Sequence, residues 1–321
     1  MTIDTQATNA TDPTHLIARF WRYQAERFPV IGHGVLIAAF SFSAISYSSL
    51  LRGHIAWPRP VVVIVAFISA LLFFLQLRLA DEFKDFEEDS RFRPYRAVPR
   101  GLVSLRELGL LGGVTLAVQL GLALWLTADL IPLLLLTWGY LALMSQEFFV
   151  RDWIKARPIT YMWTHMLIVP LIDFYTTACD WLAAGANLPH GGLAWFLIVS
   201  FFNGVVIELG RKIRAPQDEE TGVETYSALW GPRRAVLVWW VSVLITAISA
   251  AFAAAQINFV GPVSILLVIL LTLAAIVAVR FWQKPNASRA KFIETMSGVW
   301  TLLMYLGVGA VPLLWQMLLG G

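Results

Sequence analysis

Charge is scarce in this chain. Asp, Glu, Lys and Arg make up only 14% of its 321 residues, against roughly 25% in a typical soluble domain. Much of the surface must therefore meet something other than water. Cysteine is almost missing too: Cys179 stands alone, which excludes an intrachain disulfide. The opening stretch from Met1 to Leu16 is polar and lacks the apolar core of a cleavable secretory signal. The net charge of +3 is small, and the basic residues lie in loops between apolar spans, so no nucleic-acid partner is expected.

Apolar sequence is abundant. Hydrophobic residues reach 58% of the chain, and mean hydropathy is +0.68. Val61–Leu75 and Val241–Val279 carry no charge at all, and a helix crosses a bilayer in about 20 residues. Hydropathy and helix breakers predict an all-α membrane protein of about nine spans. They fall near residues 31–51, 60–80, 105–127, 130–149, 158–178, 192–212, 234–256, 261–282 and 295–318. Pro60, Pro158 and Pro262 stand close to span starts, where a missing N–H is harmless. Leu16–Phe28 alternates apolar residues with Arg19, Arg22 and Arg27 and reads as an interfacial amphipathic helix. The chain thus divides into a tail and interfacial helix over 1–28 and one polytopic unit over 29–321.

Basic residues sort by loop. They precede span one and follow spans two, four, six and eight, with Arg52 and Arg59 as exceptions on the other side. The positive-inside rule then puts the N-terminus and all the basic loops in the cytosol, and an odd number of spans puts the C-terminus outside. An integral protein of a cell membrane, surrounded by lipid, is expected.

Two of the cytosolic loops carry carboxylates as well. After span two come Asp81, Asp85 and Asp89, spaced by four, which is one stripe if the span continues as a helix. Three carboxylates on one stripe repel one another, and Mg²⁺ relieves that repulsion while leaving room for phosphate oxygens. Taken alone, an acidic cluster is most often a solvated helix end; at a membrane boundary, running out of an apolar span, it points to function. Arg96 and Arg100 follow and are candidates to grip a phosphate. After span six come Glu208, Arg211, Lys212, Arg214 and Asp218, a mixture suited to a metal and a diphosphate together. His165 and Asp173 are two turns apart on span five, either orienting an acceptor or bonding between helices.

At these residues the chain resembles the UbiA superfamily of membrane prenyltransferases. That family carries Asn-Asp-x-x-Asp-x-x-x-Asp after its second helix, and Asp81, Glu82, Asp85 and Asp89 fall on those positions. Arg96, Pro99 and Gly101 match the following Arg-Pro-Leu-Pro-Ser-Gly. Asp218, Gly222 and Thr225 match the latter part of the second motif, Asp-x-x-x-Asp-x-x-x-Gly-x-x-Thr, whose first Asp is replaced here by Arg214. Lys155 and Arg157 look like the basic pair many members carry after helix four.

The resemblance implies a nine-helix bundle with a central cavity and Mg²⁺-dependent transfer from a prenyl diphosphate to a small aromatic or lipid acceptor. It implies Asp81, Asp85, Asp89 and Asp218 as metal ligands. Asp85, Arg96, Lys155, Arg211 and Lys212 would act on the leaving pyrophosphate, with Arg96, Arg100, Arg157, Glu208 and Arg214 binding substrate. A terpene cyclase of the same fold is the nearest rival. A transporter is the rival from another class; it calls for ionisable groups near the bilayer midplane. A CDP-alcohol phosphotransferase is disfavoured, because Asp81–Gly101 lacks its Asp-Gly and Ala-Arg pairs.

Overall fold

A computed structural model describes residues 13–220 and 223–319. The expected polar tail ahead of Pro13, and Gly222 of the second motif, lie outside those residues. Every regular element among the described residues is helical, and none is a strand. In chain order the helices are α1 (Pro13–Arg27), α2 (Val30–Leu51), α3 (Pro60–Lys84), α4 (Phe86–Phe92), α5 (Leu105–Leu126) and α6 (Ile131–Ser145). There follow α7 (Arg151–Lys155), α8 (Pro158–Met166), α9 (Ile168–Trp181), α10 (Leu193–Arg211) and α11 (Tyr226–Trp230). The last four are α12 (Pro232–Gln256), α13 (Val260–Gln283), α14 (Ala287–Tyr305) and α15 (Val311–Leu319). Among them, eight stretches are long and apolar enough to cross a membrane, so this is an integral membrane protein.

The ninth expected span is present but broken. α8 and α9 meet at Leu167, and Pro170 explains the break: it has no N–H to give to the Met166 carbonyl, and its ring crowds that oxygen. The last span starts at Ala287, not near 295, because the Asn286 side chain caps α14 by accepting from the Arg289 N–H. α14 passes through a π-helical stretch, Leu306–Ala310, into α15. Pro60, Pro158 and Pro232 open α3, α8 and α12, and Ser104 with Glu107 forms a capping box at α5.

α10 lies between α12 and α14, α2 packs on α9 and the π-helical stretch, and α3 packs on α5. Polar groups join the helices. The Tyr47 hydroxyl lies 3.1 Å from the carbonyls of Gly192 and Ala253. Gln119 accepts from Gln76 and from the Trp138 indole, each at 2.8 Å. In an apolar surround such bonds are retained because the alternative is an unpaired polar group.

The two ends of the bundle differ in charge, and the two exceptional arginines share one end. Arg52 makes a bidentate contact with Asp180 at 2.7 and 2.9 Å. Arg59 reaches the nearby Ala183 carbonyl at 3.5 Å.

The helix contact between α2 and the π-helical stretch has no spare room. A methyl group on Gly309 would overlap the Ser43 backbone, and backbone cannot swing away as a side chain does. We expect Gly309→Ala to push α14 from α2 and destabilise the fold by about 1–3 kcal/mol. Thermal unfolding in detergent checks this: an unchanged midpoint would contradict the close approach.

Candidate functional site

The acidic stripe forms much as its spacing predicts. α3 runs to Lys84, Asp85 is a one-residue break at φ −95°, and α4 takes over. Backbone bonds of the i to i+4 kind continue across the break, from Asp85 to Asp81 at 2.9 Å and from Asp89 to Asp85 at 2.8 Å. The carboxylates nevertheless have different surroundings. Asp81 is part-exposed, 3.4 Å from Arg78. Asp89 is buried between Arg93, at 3.2 Å, and Arg96. Glu88 faces Lys155 at 3.0 Å and Arg151 at 3.3 Å; the Lys155 hydrogen bond outweighs partial burial and holds Glu88 below the usual carboxylate range. Glu82 points away, into an ion pair with Arg27 of α1. The Asp85 carboxylate has neither hydrogen bond nor ion pair among the described residues. Burial pushes its carboxyl up, Lys84 pulls it down, and Asp81, Asp89 and Glu88 push it up again.

The second loop gathers its own group. Glu208, at the end of α10, is buried between Arg211 at 2.9 Å and Lys212 at 2.8 Å. The Lys212 ammonium also lies 5.8 Å from the Tyr226 ring centroid. Asp218 ends a single 3₁₀ turn, Pro216–Asp218. Arg214 turns toward Glu220 at 3.0 Å, and Thr225 caps α11 while its hydroxyl donates to Glu219 at 2.6 Å. Two expected substrate contacts are engaged elsewhere. Arg100 pairs with Glu26 of α1 at 2.7 Å, and Arg157 stacks on Trp153 at 4.4 Å. Among the described residues no three His, Cys, Asp or Glu side chains converge on one point.

Between the two loops stands a group that spacing did not reveal. Just past α6, Glu147, Phe148 and Phe149 take φ of 50°, 54° and 60°. Three non-glycine residues in left-handed conformation cost about 1–2 kcal/mol each, so the surroundings must hold them. Glu147 is what is held. Its carboxylate lies 3.4 Å from Lys84 and 3.4 Å from His165 Nε2, and the Tyr161 hydroxyl, which accepts from Lys84 at 3.0 Å, donates to it at 3.3 Å. His165 Nδ1 faces the Tyr161 carbonyl at 2.8 Å; a carbonyl only accepts, so Nδ1 carries a proton. A cleft of about 440 Å³ lies beside Lys84 and Glu147, with Phe83, Gln146 and Arg151 on its walls. The available signal was the ionisable Glu147, next to the polar Gln146, ending an apolar run.

His165 and Asp173 meet different partners. His165 lies beside Glu147, whereas Asp173 is buried in the bundle and accepts from the Tyr305 hydroxyl at 2.9 Å.

Burial pushes the Glu147 carboxyl up, but His165 and Lys84 outweigh it and bring the group down to about 2. A carboxyl held below its ordinary value of 4.5 stabilises the fold above that value and loses the contribution as pH falls through about 2. We expect wild-type thermal stability to decline across that window and Glu147→Gln to flatten the decline. An identical pH profile in the variant would refute the network.

Comparison with known proteins agrees with this architecture. No curated protein matches the sequence. A UbiA homologue from Aeropyrum pernix K1, in its apo form, superposes with a TM-score of 0.67 at 14% identity, covering 87% of this chain and 97% of its own. A digeranylgeranylglyceryl phosphate synthase superposes at 0.60 with 15% identity, covering 93% and 99%. A UbiA homologue from Archaeoglobus fulgidus bound to DMAPP and Mg²⁺ superposes at 0.52 with 13% identity, covering 89% and 98%. At such identities the likeness is one of fold. The sequence itself matches the family described as the UbiA prenyltransferase family over residues 39–297, and the chain belongs to that family.

Proposed function

We propose that the chain transfers a prenyl group from an allylic prenyl diphosphate to an aromatic or lipid acceptor, at the end of the bundle that carries the basic loops. That end is the cytosolic one by the positive-inside rule. The observation that carries the reading is Asp85, a half-buried carboxylate at the end of α3 that has no side-chain partner among the described residues and stands between Asp81 and Asp89 on the same stripe. A divalent cation is the partner such a group calls for, and Mg²⁺ needs only one or two carboxylates besides phosphate oxygens and water. Asp85 and Asp81 would hold it, with Asp218 from the second loop. Asp89 joins them only by releasing Arg93 and Arg96. The relative bound to DMAPP and Mg²⁺, and the synthase among the similar folds, support this chemistry.

Bound there, Mg²⁺ would supply Lewis-acid neutralisation of the diphosphate. The chain's own cations do the rest. Lys155 sits in a part-exposed ion pair, a class worth about 0–1 kcal/mol, so exchanging a carboxylate for a phosphate oxygen is cheap there; Arg211 shares the buried Glu208 with Lys212, so either can turn to a phosphate while the other keeps Glu208 paired. Lys212 adds a third charge from the same loop. Arg96 is the costlier one, because its partner Asp89 is buried. Arg214 and Glu208 would serve as the outer rim of the same site, and Arg100 and Arg157 would join it only on leaving Glu26 and Trp153. Developing charge on the leaving pyrophosphate is stabilised by these preorganised groups, while the apolar bundle keeps water from the allylic cation. The cleft beside Glu147 is of about 440 Å³, within the range of roughly 300–1,000 Å³ usual for small-molecule sites.

Pyrophosphate release tests the reading. The purified protein in lipid, given Mg²⁺, C10 to C20 prenyl diphosphates and a lipid-extract acceptor pool, is expected to release pyrophosphate only with acceptor present. Chelation abolishes the release, and Asp85→Asn lowers it by at least roughly 100-fold. Release without acceptor would point instead to a cyclase. Failure with every donor would overturn the assignment.

A further inference from the structure

Motif one has a residue that the metal reading leaves over. Glu82 falls on a position that the family resemblance gives to a carboxylate of the site, yet its side chain is only 1% exposed and is paired with Arg27, itself 12% exposed. The pair reaches out of the span and into α1. It is one of three from the same helix. Arg19 makes two bonds of 3.0 Å to the Glu107 carboxylate and a third, of 2.8 Å, to the Leu102 carbonyl. Glu26 pairs with Arg100 at 2.7 Å. Tyr23 fills the middle of the contact, packed in one apolar cluster with Leu79, Val98 and Leu108. α1 therefore lies across the back of the first loop and is fastened at both of its working parts. One is the last turn of α3, with Asp81 and Asp85. The other is the segment between α4 and α5, with Arg96.

We propose that α1 is a strap that positions the metal-binding carboxylates: Arg27, acting through Glu82, holds the last turn of α3 at the rotation that presents Asp81 and Asp85 together. Arg19 and Glu26 hold the arginine-bearing segment in register with it. This rests on the Mg²⁺ reading of the acidic loop given above. Glu82 is next to Asp81 and three residues from Asp85, so on a helix it cannot be fixed without fixing them. A buried pair serves because neither partner can leave it without stranding a charge. Arg27 is a positioning residue; it touches neither metal nor substrate.

The test reads metal binding and not turnover. Mn²⁺ binding to the full chain in lipid nanodiscs is followed by electron paramagnetic resonance with inorganic pyrophosphate present. Hydrogen exchange over α1 is measured alongside. Arg27→Glu is expected to weaken Mn²⁺ binding by roughly 10–100-fold, the usual effect of losing an outer-shell support, and to speed exchange over α1. The double exchange Arg27→Glu with Glu82→Arg restores both. Arg19→Ala, at a more exposed pair, is the milder variant and shifts both readings in the same direction by less.

If α1 exchanges quickly in these variants while Mn²⁺ binds as in wild type, the strap proposal is overturned. It is overturned equally if α1 stays protected in the Arg19→Ala, Glu26→Ala, Arg27→Ala triple variant. Asp85→Asn is the control for the underlying reading: wild-type protein that binds no Mn²⁺, or binding indifferent to Asp85, sinks the metal site itself and is told apart from either result.

Discussion

A carboxylate that leaves an apolar helix at the edge of a membrane has little water to turn to, and it must find a cation or stay protonated. That constraint organises the functional end of this protein. Glu82 finds Arg27, Asp89 finds Arg93 and Arg96, and Glu208 finds Arg211 and Lys212. Glu147 finds Lys84 and His165. Each pairing joins segments or braces a turn, so the electrostatic need of each acid becomes a mechanical tie. The half-buried carboxylates of Asp85 and Asp218 stand out against this background because no partner ties them among the described residues. Their want of a partner has functional content only because their neighbours have theirs.

The same constraint separates scaffold from chemistry within one short segment. Five acidic residues between Asp81 and Glu88 look alike in the chain. A helix points successive side chains about 100° apart, so they face α1, the facing basic loop, or the interior of the site in turn. Two of them become anchors, Glu82 to α1 and Glu88 to Lys155. Glu87 is exposed, and Asp81 and Asp85 remain as the proposed metal ligands. Anchoring the others limits how far these two can move, which is what a metal site needs from its outer shell.

The break in span five has a comparable effect. Pro170 withholds an N–H from the helical ladder there, and the polar groups on the two sides take part in different things: His165 in the network behind Lys84, Asp173 in a buried contact with Tyr305. The left-handed turn at Glu147–Phe149 is the other local departure from regular structure at this end. Its strain is held by the same ion pairs that its carboxylate makes, which is the usual arrangement for strain near a working site.

Composition alone determined that this chain lives in a membrane, since 14% charge cannot cover a soluble surface. The apolar runs placed the spans, because a bilayer demands length and hydrophobicity and little else. The spacing of Asp81, Asp85 and Asp89 foretold the stripe, and the loops of basic residues foretold which end carries it. What the chain could not disclose is which charges are already spent. Arg100 and Arg157 read as phosphate contacts in the sequence, and only the structure sets Glu26 and Trp153 beside them. Glu82 reads as part of the motif until Arg27, fifty-five residues away, is found against it. Periodicity reports the face of a single helix, whereas the partner of a charge is chosen by how helices distant in sequence pack, and only the tertiary structure decides that.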